Sequence, residues 1–187
     1  MPSDQGRITE RLIKEMIATA GRIAEQPDHW WVDQLNNHDA IGGYTALGEE
    51  IWRQTDGEVD AFVHAVGTAH SIHAAGAALR VHRPDLCIVA VEPAESAVLS
   101  GYPTGSHWIE GIGIGFLPPL WERDKVDEIE MVASVDAQAT ARRDRMSGPS
   151  CSATCSAATT FAPDEVPAKT PSSAARRRSS WTQGSAT

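Results

Sequence analysis

The strongest constraint on the fold is a pattern of two apolar runs separated by a helical run in the middle of the chain. Residues 59–66 form an apolar run typical of a buried strand, residues 71–82 are rich in alanine and favour a helix, and residues 86–92 form a second apolar run. Two buried strands joined by a helix make a βαβ unit, which crosses over right-handed and belongs to a parallel sheet covered on both faces. The pattern therefore predicts an α/β protein with a partial doubly wound parallel sheet and helices on both faces.

Other segments extend this architecture on either side of the βαβ unit. The predicted elements are an amphipathic helix over residues 9–26, a short strand over 29–34, a helix over 46–54, a half-exposed strand over 126–132, and a helix over 134–143 with Ser134 as its N-cap. Beyond Arg143 the chain is dominated by Ser, Thr, Ala, Pro and Gly, which cannot bury enough apolar surface to offset the entropy of ordering. We predict one domain over residues 1–143 and a disordered tail over residues 144–187.

Composition excludes several classes of partner. The formal net charge of −9 argues against nucleic-acid binding, and the basic run at residues 176–178 is interpreted as a solvated part of the tail. No window reaches the length of about 18 apolar residues that a membrane span needs. Three cysteines do not form a disulfide framework, which fits a reducing cytoplasm.

Residues 67–71, Gly-Thr-Ala-His-Ser, follow the first predicted strand and lead into the predicted helix. Open α/β sheets bind ligands at the carboxyl ends of their strands, where the first N–H groups of the next helix and its dipole favour an anion. Gly67 permits a tight turn, Thr68 and Ser71 supply hydroxyl donors, and His70 adds charge if it is protonated. A phosphate group is the expected ligand. From these five residues alone, a plain strand-to-helix turn capped by a hydroxyl is as well supported as a phosphate-binding loop.

Glu92 supports a competing interpretation. It ends the second predicted strand about 25 residues after Gly67, near the place of the ribose-binding acid in dinucleotide-binding folds. The G-x-G-x-x-G fingerprint of those folds is missing, because the loop contains a single glycine. A non-catalytic phosphate- or nucleotide-binding Rossmann-like module is therefore the alternative to an enzyme.

Separated motifs over residues 5–143 occur in an order that resembles a known enzyme family. They are YTALGEEIWRQTDGEVDAFVHAVGTAHS, IVAVEPAESAVLSG, HWIEGIGIGFLPP, VDEI and ATARR. The order and spacing resemble the second half of the cysteine synthase family, pyridoxal-phosphate enzymes of fold type II related to O-acetylserine sulfhydrylase and cystathionine β-synthase. The resemblance implies pyridoxal 5'-phosphate as cofactor and β-replacement of an O-acetylserine-type amino acid by a sulfur nucleophile. Family members are usually homodimers, so a homodimer is the assembly that the resemblance suggests.

The resemblance also implies roles for particular residues. It implies that the cofactor phosphate is held by Gly67, Thr68, Ala69, His70 and Ser71. It implies that the amino-acid substrate is bound by Gln34, Gly111, Ile112 and Gly113. Two departures stand out: Ala69 and His70 replace glycines of the family's G-T-G-G-T loop, and Asp33 replaces a glutamine. Backbone N–H donors keep their place only if Ala69 and His70 need no positive φ.

The resemblance implies no catalytic residue in this chain. The family's Schiff-base lysine lies in a segment preceding anything in this sequence, and Lys14, Lys125 and Lys169 are interpreted as solvated surface residues. The family pattern stops after Arg143, where a helix and a G-x-S-S-G segment are expected, and a reading-frame change would explain the switch. The sequence therefore indicates a piece truncated at both ends, which keeps the cofactor loop and is inactive by itself.

Overall fold

The computed structural model describes residues 6–147 and 158–159 of the chain. In chain order its main elements are Glu10–Ala24 (α1), Asp39–Gly42 (α2), Thr45–Gln54 (α3), Ala61–Ala65 (β1), His70–His82 (α4), Cys87–Pro93 (β2), Glu128–Val132 (β3) and Ser134–Ser147 (α5). Two single turns of 3-10 helix, Ala94–Ser96 and Arg123–Lys125, lie in the long connection between β2 and β3. The helix α5 continues past residue 143. Most of the predicted disordered tail lies outside the described residues.

The three strands form one parallel sheet in the order β1-β2-β3. The register pairs Ala61 with Cys87 at one end of β1, and Val89 with Glu128 at the start of β3. The carboxyl ends of all three strands therefore lie at the same edge of the sheet. This arrangement confirms the predicted βαβ unit and parallel sheet.

Helices cover both faces of the sheet, as predicted. Successive residues of β2 point to opposite faces. Ile88 packs in a buried cluster that includes Leu79 of α4, whereas Val91 packs in a second cluster that includes Ala137 of α5. Leu79 and Val91 are both fully buried. The doubly wound arrangement is thus present in a small sheet with one apolar cluster on each side.

Small residues on α4 let it approach its neighbours closely. A Cβ added to Gly76 would lie 2.6 Å from Cδ1 of Ile88 on the sheet. A Cβ added to Gly48 of α3 would lie 2.6 Å from the carbonyl oxygen of Ala75. The alanine-rich sequence of α4 therefore reflects close packing of a helix on the sheet and on α3.

The predicted amphipathic helix near the start of the chain is α1. The Thr9 hydroxyl accepts a hydrogen bond from the Leu12 N–H at 3.2 Å and caps the helix. None of the residues of α1 is buried, and Met16 and Ile23 are 53% and 47% exposed. Among the residues that the structure describes, the apolar face of α1 is thus only partly covered.

The predicted strand over residues 29–34 is wrong. This segment has no regular secondary structure, and Trp30 within it is 83% exposed. Asp28 and Asp33 have positive φ values of 64° and 44°, which interrupt an extended conformation at both ends. Within the described part of the chain no strand pairs with it, and an apolar run without a partner does not form a sheet.

Ser134 is not the N-cap of α5. It is the first helical residue, and the Ala133 carbonyl oxygen accepts the N–H groups of Asp136 and Ala137. The Ser134 hydroxyl instead accepts a hydrogen bond from the Trp108 N–H at 3.0 Å. The serine therefore joins the helix to a neighbouring loop, a role that local sequence does not reveal.

The described residues contain neither a membrane-spanning helix nor a metal-binding cluster. None of the helices in residues 6–147 and 158–159 is long and apolar enough to cross a membrane. The same residues contain no group of three or more His, Cys, Asp or Glu side chains suited to a metal ion.

Candidate functional site

Residues 67–71 lie at the carboxyl end of β1 and lead directly into α4. The first hydrogen bond of the helix runs from the His73 N–H to the Ala69 carbonyl oxygen at 3.2 Å. The N–H groups of residues 70–72 precede it and have no acceptor within the helix. These donors, with the dipole of α4 behind them, give the loop the chemistry of an anion site.

Ala69 adopts the left-handed conformation, with φ of 73° and ψ of −5°. This conformation costs an L-residue about 1–2 kcal/mol, which glycine avoids. The Ala69 side chain is buried in the cluster that includes Leu79, and burying one methyl group returns about 0.8 kcal/mol. His70 already has helical backbone geometry. Of the two replaced glycines, therefore, His70 needs no positive φ but Ala69 has one. The condition expected from the sequence is not met at Ala69, and the loop keeps its shape there in spite of the strained backbone.

The two hydroxyls of the loop are engaged by histidines. Thr68 Oγ1 lies 2.7 Å from Nδ1 of His70, and Ser71 Oγ lies 2.7 Å from Nε2 of His64 on β1. Burial lowers the pKa of His64, which favours the neutral form of this ring. Both hydroxyls that the sequence analysis proposed as donors already have a partner.

His70 connects the loop to the segment that contains Gln34. The His70 residue is only 3% exposed, and its Nε2 lies 3.0 Å from the carbonyl oxygen of Asn37. Its ring stacks on Tyr44 with a centroid distance of 6.2 Å. Gln34 itself is exposed, three positions before Asn37. The structure thus brings the segment of Gln34 to the loop, although the two are distant in sequence.

Residues 111–113 lie directly against the loop. A Cβ added to Gly67 would lie 2.8 Å from the Gly111 carbonyl oxygen, and the Gly113 N–H donates to the Val66 carbonyl oxygen at 3.2 Å. Gly111 and Gly113 have positive φ values of 86° and 63°. Ile112 is 5% exposed and packs in the cluster beneath α5, so its side chain faces the core and only its backbone is available to a ligand.

A small cleft with a cavity volume of about 10 Å³, roughly the space of one water molecule, lies where these segments meet. Its walls include Val66, Gly67, Glu92, Gly113, Phe116 and Pro118. The cleft lies at the carboxyl ends of β1 and β2, the edge of a parallel sheet where α/β proteins bind ligands.

Glu92 holds the chain that follows β2. Its side chain is buried, with Oε2 accepting the Leu99 N–H at 2.7 Å and Oε1 accepting the Ser100 N–H at 2.9 Å. Burial raises its pKa, and the hydrogen bonds from Ser100 and Leu99 oppose that rise. Both carboxylate oxygens are therefore occupied by backbone donors, an arrangement that disfavours a ribose-binding role.

His107 is a positioning residue that the sequence analysis missed. It is fully buried, its Nε2–H donates to the Gly113 carbonyl oxygen at 2.7 Å, and its Nδ1 accepts the Ile109 N–H at 3.3 Å. A carbonyl oxygen only accepts, so these bonds define one neutral tautomer. The motif HWIEGIGIGFLPP contains the histidine, but nothing local in it indicates a buried ring that fixes Gly113.

We expect the stability of the protein to fall in mild acid because of His107. Burial lowers its pKa from the ordinary 6.5, so the unfolded chain takes up a proton before the folded one does. The contribution is fully present above pH 6.5 and is lost as the pH falls towards the folded pKa. Urea unfolding at about pH 7.5 and about pH 5.5 measures this loss, which a His107→Gln variant should reduce.

His64 and His73 have lowered pKa values too, so part of the pH dependence remains in that variant. The exposed His82, which pairs with Glu49, provides the comparison variant His82→Gln, in which a surface histidine is replaced by the same residue. An identical loss of stability in wild type and His107→Gln would contradict the assignment.

Comparison with known proteins agrees with this geometry. The sequence model of the family described as pyridoxal-phosphate dependent enzyme matches residues 6–170. The chain is similar to cysteine synthase 3 of Caenorhabditis elegans, with 42% identity over 122 residues, 65% of this chain and 36% of that protein. It is similar to a probable cysteine synthase of Bacillus subtilis, with 37% identity over 166 residues, 80% of this chain and 53% of that protein.

A solved structure shows the same relation. O-acetyl serine sulfhydrylase isoform 3 from Entamoeba histolytica is similar to this chain with a TM-score of 0.73 and 37% sequence identity. The similarity covers 78% of this chain and 44% of that one.

Fold and site together define an α/β protein with a strand-to-helix loop at the carboxyl edge of a parallel sheet. The chain belongs to the pyridoxal-phosphate dependent enzyme family and is a homologue of the cysteine synthases within it. The resemblance inferred from the motifs, the fold type and the family cofactor are confirmed.

The chain spans 36% to 53% of the length of the two curated relatives named above. The family match extends past residue 143, and the domain boundary predicted there stays a prediction.

Proposed function

We propose that this chain provides the cofactor-phosphate loop and part of the substrate-binding wall of a cysteine synthase-like β-replacement enzyme. The observation that carries the proposal is the direct approach of Gly67 to the Gly111 carbonyl oxygen. It joins the loop over residues 67–71 to the wall over residues 111–113 at the rim of one cleft. Two segments that the family motifs assign to cofactor and substrate are therefore neighbours.

The residues of the loop fit a phosphate group. The free N–H groups of residues 70–72 and the dipole of α4 would hold it, and Gly67 lets the loop lie against Gly111 without a side chain between them. When bound, pyridoxal phosphate supplies an electron sink for chemistry at the α-carbon of an amino acid. The protein's part is to bind, orient and shield, and His107 contributes by fixing Gly113.

The amino-acid substrate is proposed to lie between the wall and the segment that contains Gln34. That segment is held against the loop by the hydrogen bond from His70 to the Asn37 carbonyl oxygen. Asp33, which replaces a glutamine, accepts from the Asn36 amide with both carboxylate oxygens at 2.9 Å. Its charge is therefore partly satisfied within its own turn.

The lysine that carries the cofactor is proposed to come from outside this chain. Lys14 pairs with Glu10, stands 5.7 Å over the Phe116 ring and has a side chain that is 61% exposed. Lys125 pairs with Glu122 at 2.5 Å and is 47% exposed. Lys169 lies outside the described residues. We therefore propose that the chain alone binds the cofactor without a covalent bond and does not catalyse the reaction of the complete enzymes.

The test is binding of pyridoxal phosphate to the full chain, followed by visible absorbance and by borohydride treatment with mass spectrometry. We expect binding that inorganic phosphate competes away, no specific borohydride-fixed adduct, and weaker binding of pyridoxal, which lacks the phosphate. A stoichiometric adduct on Lys14, Lys125 or Lys169 would contradict the proposal for the lysines. Tighter binding of NAD than of pyridoxal phosphate would favour a nucleotide-binding module instead.

A further inference from the structure

His70 imposes a direction on the Thr68 hydroxyl. The Asn37 carbonyl oxygen, 3.0 Å from His70 Nε2, only accepts, so the proton of a neutral ring is on Nε2. Nδ1 is then an acceptor, and the Thr68 hydroxyl, 2.7 Å away, donates to it. In this state Thr68 offers only oxygen lone pairs to a ligand in the loop. The resemblance expects a glycine at position 70, so this constraint is a property of this sequence.

Protonation of His70 reverses the hydrogen bond. Nδ1 then carries a proton and donates to Thr68 Oγ1, which frees the hydroxyl proton for another acceptor. The same proton places a positive charge at the first residue of α4, beside the free N–H groups of residues 70–72. Both changes favour an anion in the loop.

We propose that anion binding by residues 67–71 is linked to the uptake of a proton by His70, which turns Thr68 from an acceptor into a donor. His70 is thus a positioning residue that acts through Thr68. The inference rests on the proposed function, in which this loop holds the cofactor phosphate. It implies that the loop binds a phosphate group more tightly when His70 is protonated than when it is neutral.

Other titratable groups surround His70 on the elements packed against it. Tyr44 stacks on its ring, His38 and Asp39 follow Asn37, and His73 lies one turn along α4. On the strand side, His64 is hydrogen-bonded to Ser71, and burial lowers its pKa. The experiment must therefore separate His70 from these groups by substitution.

Sulfate is the suitable probe, because its own charge is constant over the pH range in which histidine titrates. Isothermal titration of the full chain with sulfate should show affinity falling about tenfold from about pH 5.5 to about pH 8.5, the size expected for gaining a charge-assisted hydrogen bond. Titration at neutral pH in two buffers with different heats of ionisation should show net proton uptake on binding. Competition with pyridoxal phosphate locates the sulfate in the loop.

Four variants test the assignment. His70→Gln keeps an N–H for the Asn37 carbonyl and should abolish the pH dependence. Thr68→Val should reduce it, because the charge of His70 remains but the hydroxyl does not, and Thr68→Ser should retain it. His82→Gln at the other end of α4 is the matched control and should behave as wild type. Circular dichroism checks the fold of each variant. If His70→Gln does not fold, the proposal is tested by comparing Thr68→Val with Thr68→Ser and by the number of protons that the unmodified protein takes up on binding sulfate.

The outcomes separate the inference from the proposed function. Sulfate binding that does not change with pH, or a pH dependence that persists in His70→Gln, overturns the role of His70 and leaves the phosphate loop intact. A full pH dependence in Thr68→Val overturns the part played by the hydroxyl. No competition between sulfate and pyridoxal phosphate at any pH overturns the proposed function and the inference together.

Discussion

Replacing Gly105 with alanine is expected to lower the free energy of unfolding by about 3 kcal/mol, at the upper end of the usual cost of overpacking. A Cβ at this position would lie 1.9 Å from the Glu95 carbonyl oxygen. The obstructing atom belongs to the backbone, so a side-chain rotation cannot relieve the clash. Either the segment of Glu95 or the segment of Gly105 must therefore move, and each makes contacts that stabilise the fold. Glu95 accepts the Ser134 N–H through Oε1, and the buried His107 lies two residues beyond Gly105.

Urea unfolding followed by circular dichroism and tryptophan fluorescence measures this loss. Gly42→Ala is the matched control, because a Cβ there meets nothing within 4 Å and alanine favours a helix. We expect the control to be neutral or slightly stabilising. An unchanged unfolding midpoint in Gly105→Ala would show that the two segments are not packed as described.

Replacing Gly67 with alanine is expected to weaken binding of pyridoxal phosphate by at least about tenfold, which corresponds to about 1.4 kcal/mol. The new Cβ would lie 2.8 Å from the Gly111 carbonyl oxygen, so the loop and the wall must separate. That separation also strains the hydrogen bond from the Gly113 N–H to the Val66 carbonyl oxygen. Equilibrium dialysis at a temperature where the variant is folded gives the affinity without reference to catalysis.

The same Gly42→Ala variant should bind pyridoxal phosphate as wild type does, since α2 holds no residue of the cleft. If Gly67→Ala retained full affinity, the contact between loop and wall would be irrelevant to the cofactor. Loss of affinity in both variants would point to a general effect on folding.

Much of the fold could be predicted because its signals are local. The apolar runs that became β1 and β2 and the alanine-rich run that became α4 each have the periodicity of their element, and parallel pairing follows from their order. The predicted strand over residues 29–34 failed for the opposite reason. An apolar run forms a strand only when another strand is beside it, and the sequence of the run does not contain that information.

Some features of the candidate site could likewise be predicted from the sequence, and others could not. The loop over residues 67–71 could be located from its glycine and hydroxyl residues after a predicted strand. The wall over residues 111–113 is indicated only by the family resemblance of its motif. The contact of Gly67 with Gly111, the bond from His70 to Asn37 and the buried ring of His107 could not. Each joins residues whose proximity is created by the tertiary fold, and a histidine looks the same in sequence whether buried or solvated.

The left-handed backbone conformation of Ala69 is energetically unfavourable, and the packing around this residue must offset it. Its backbone is held at φ of 73° by the packing of its methyl group and by the helix that starts at the next residue. A glycine would adopt this left-handed backbone conformation without such packing. Alanine returns to a right-handed or extended conformation when that packing loosens. The conformation of this loop, and with it the hold on the cofactor phosphate that we propose, is therefore tied to the packing of the core beneath it. Local loosening of that core is expected to release a bound anion before the sheet itself unfolds.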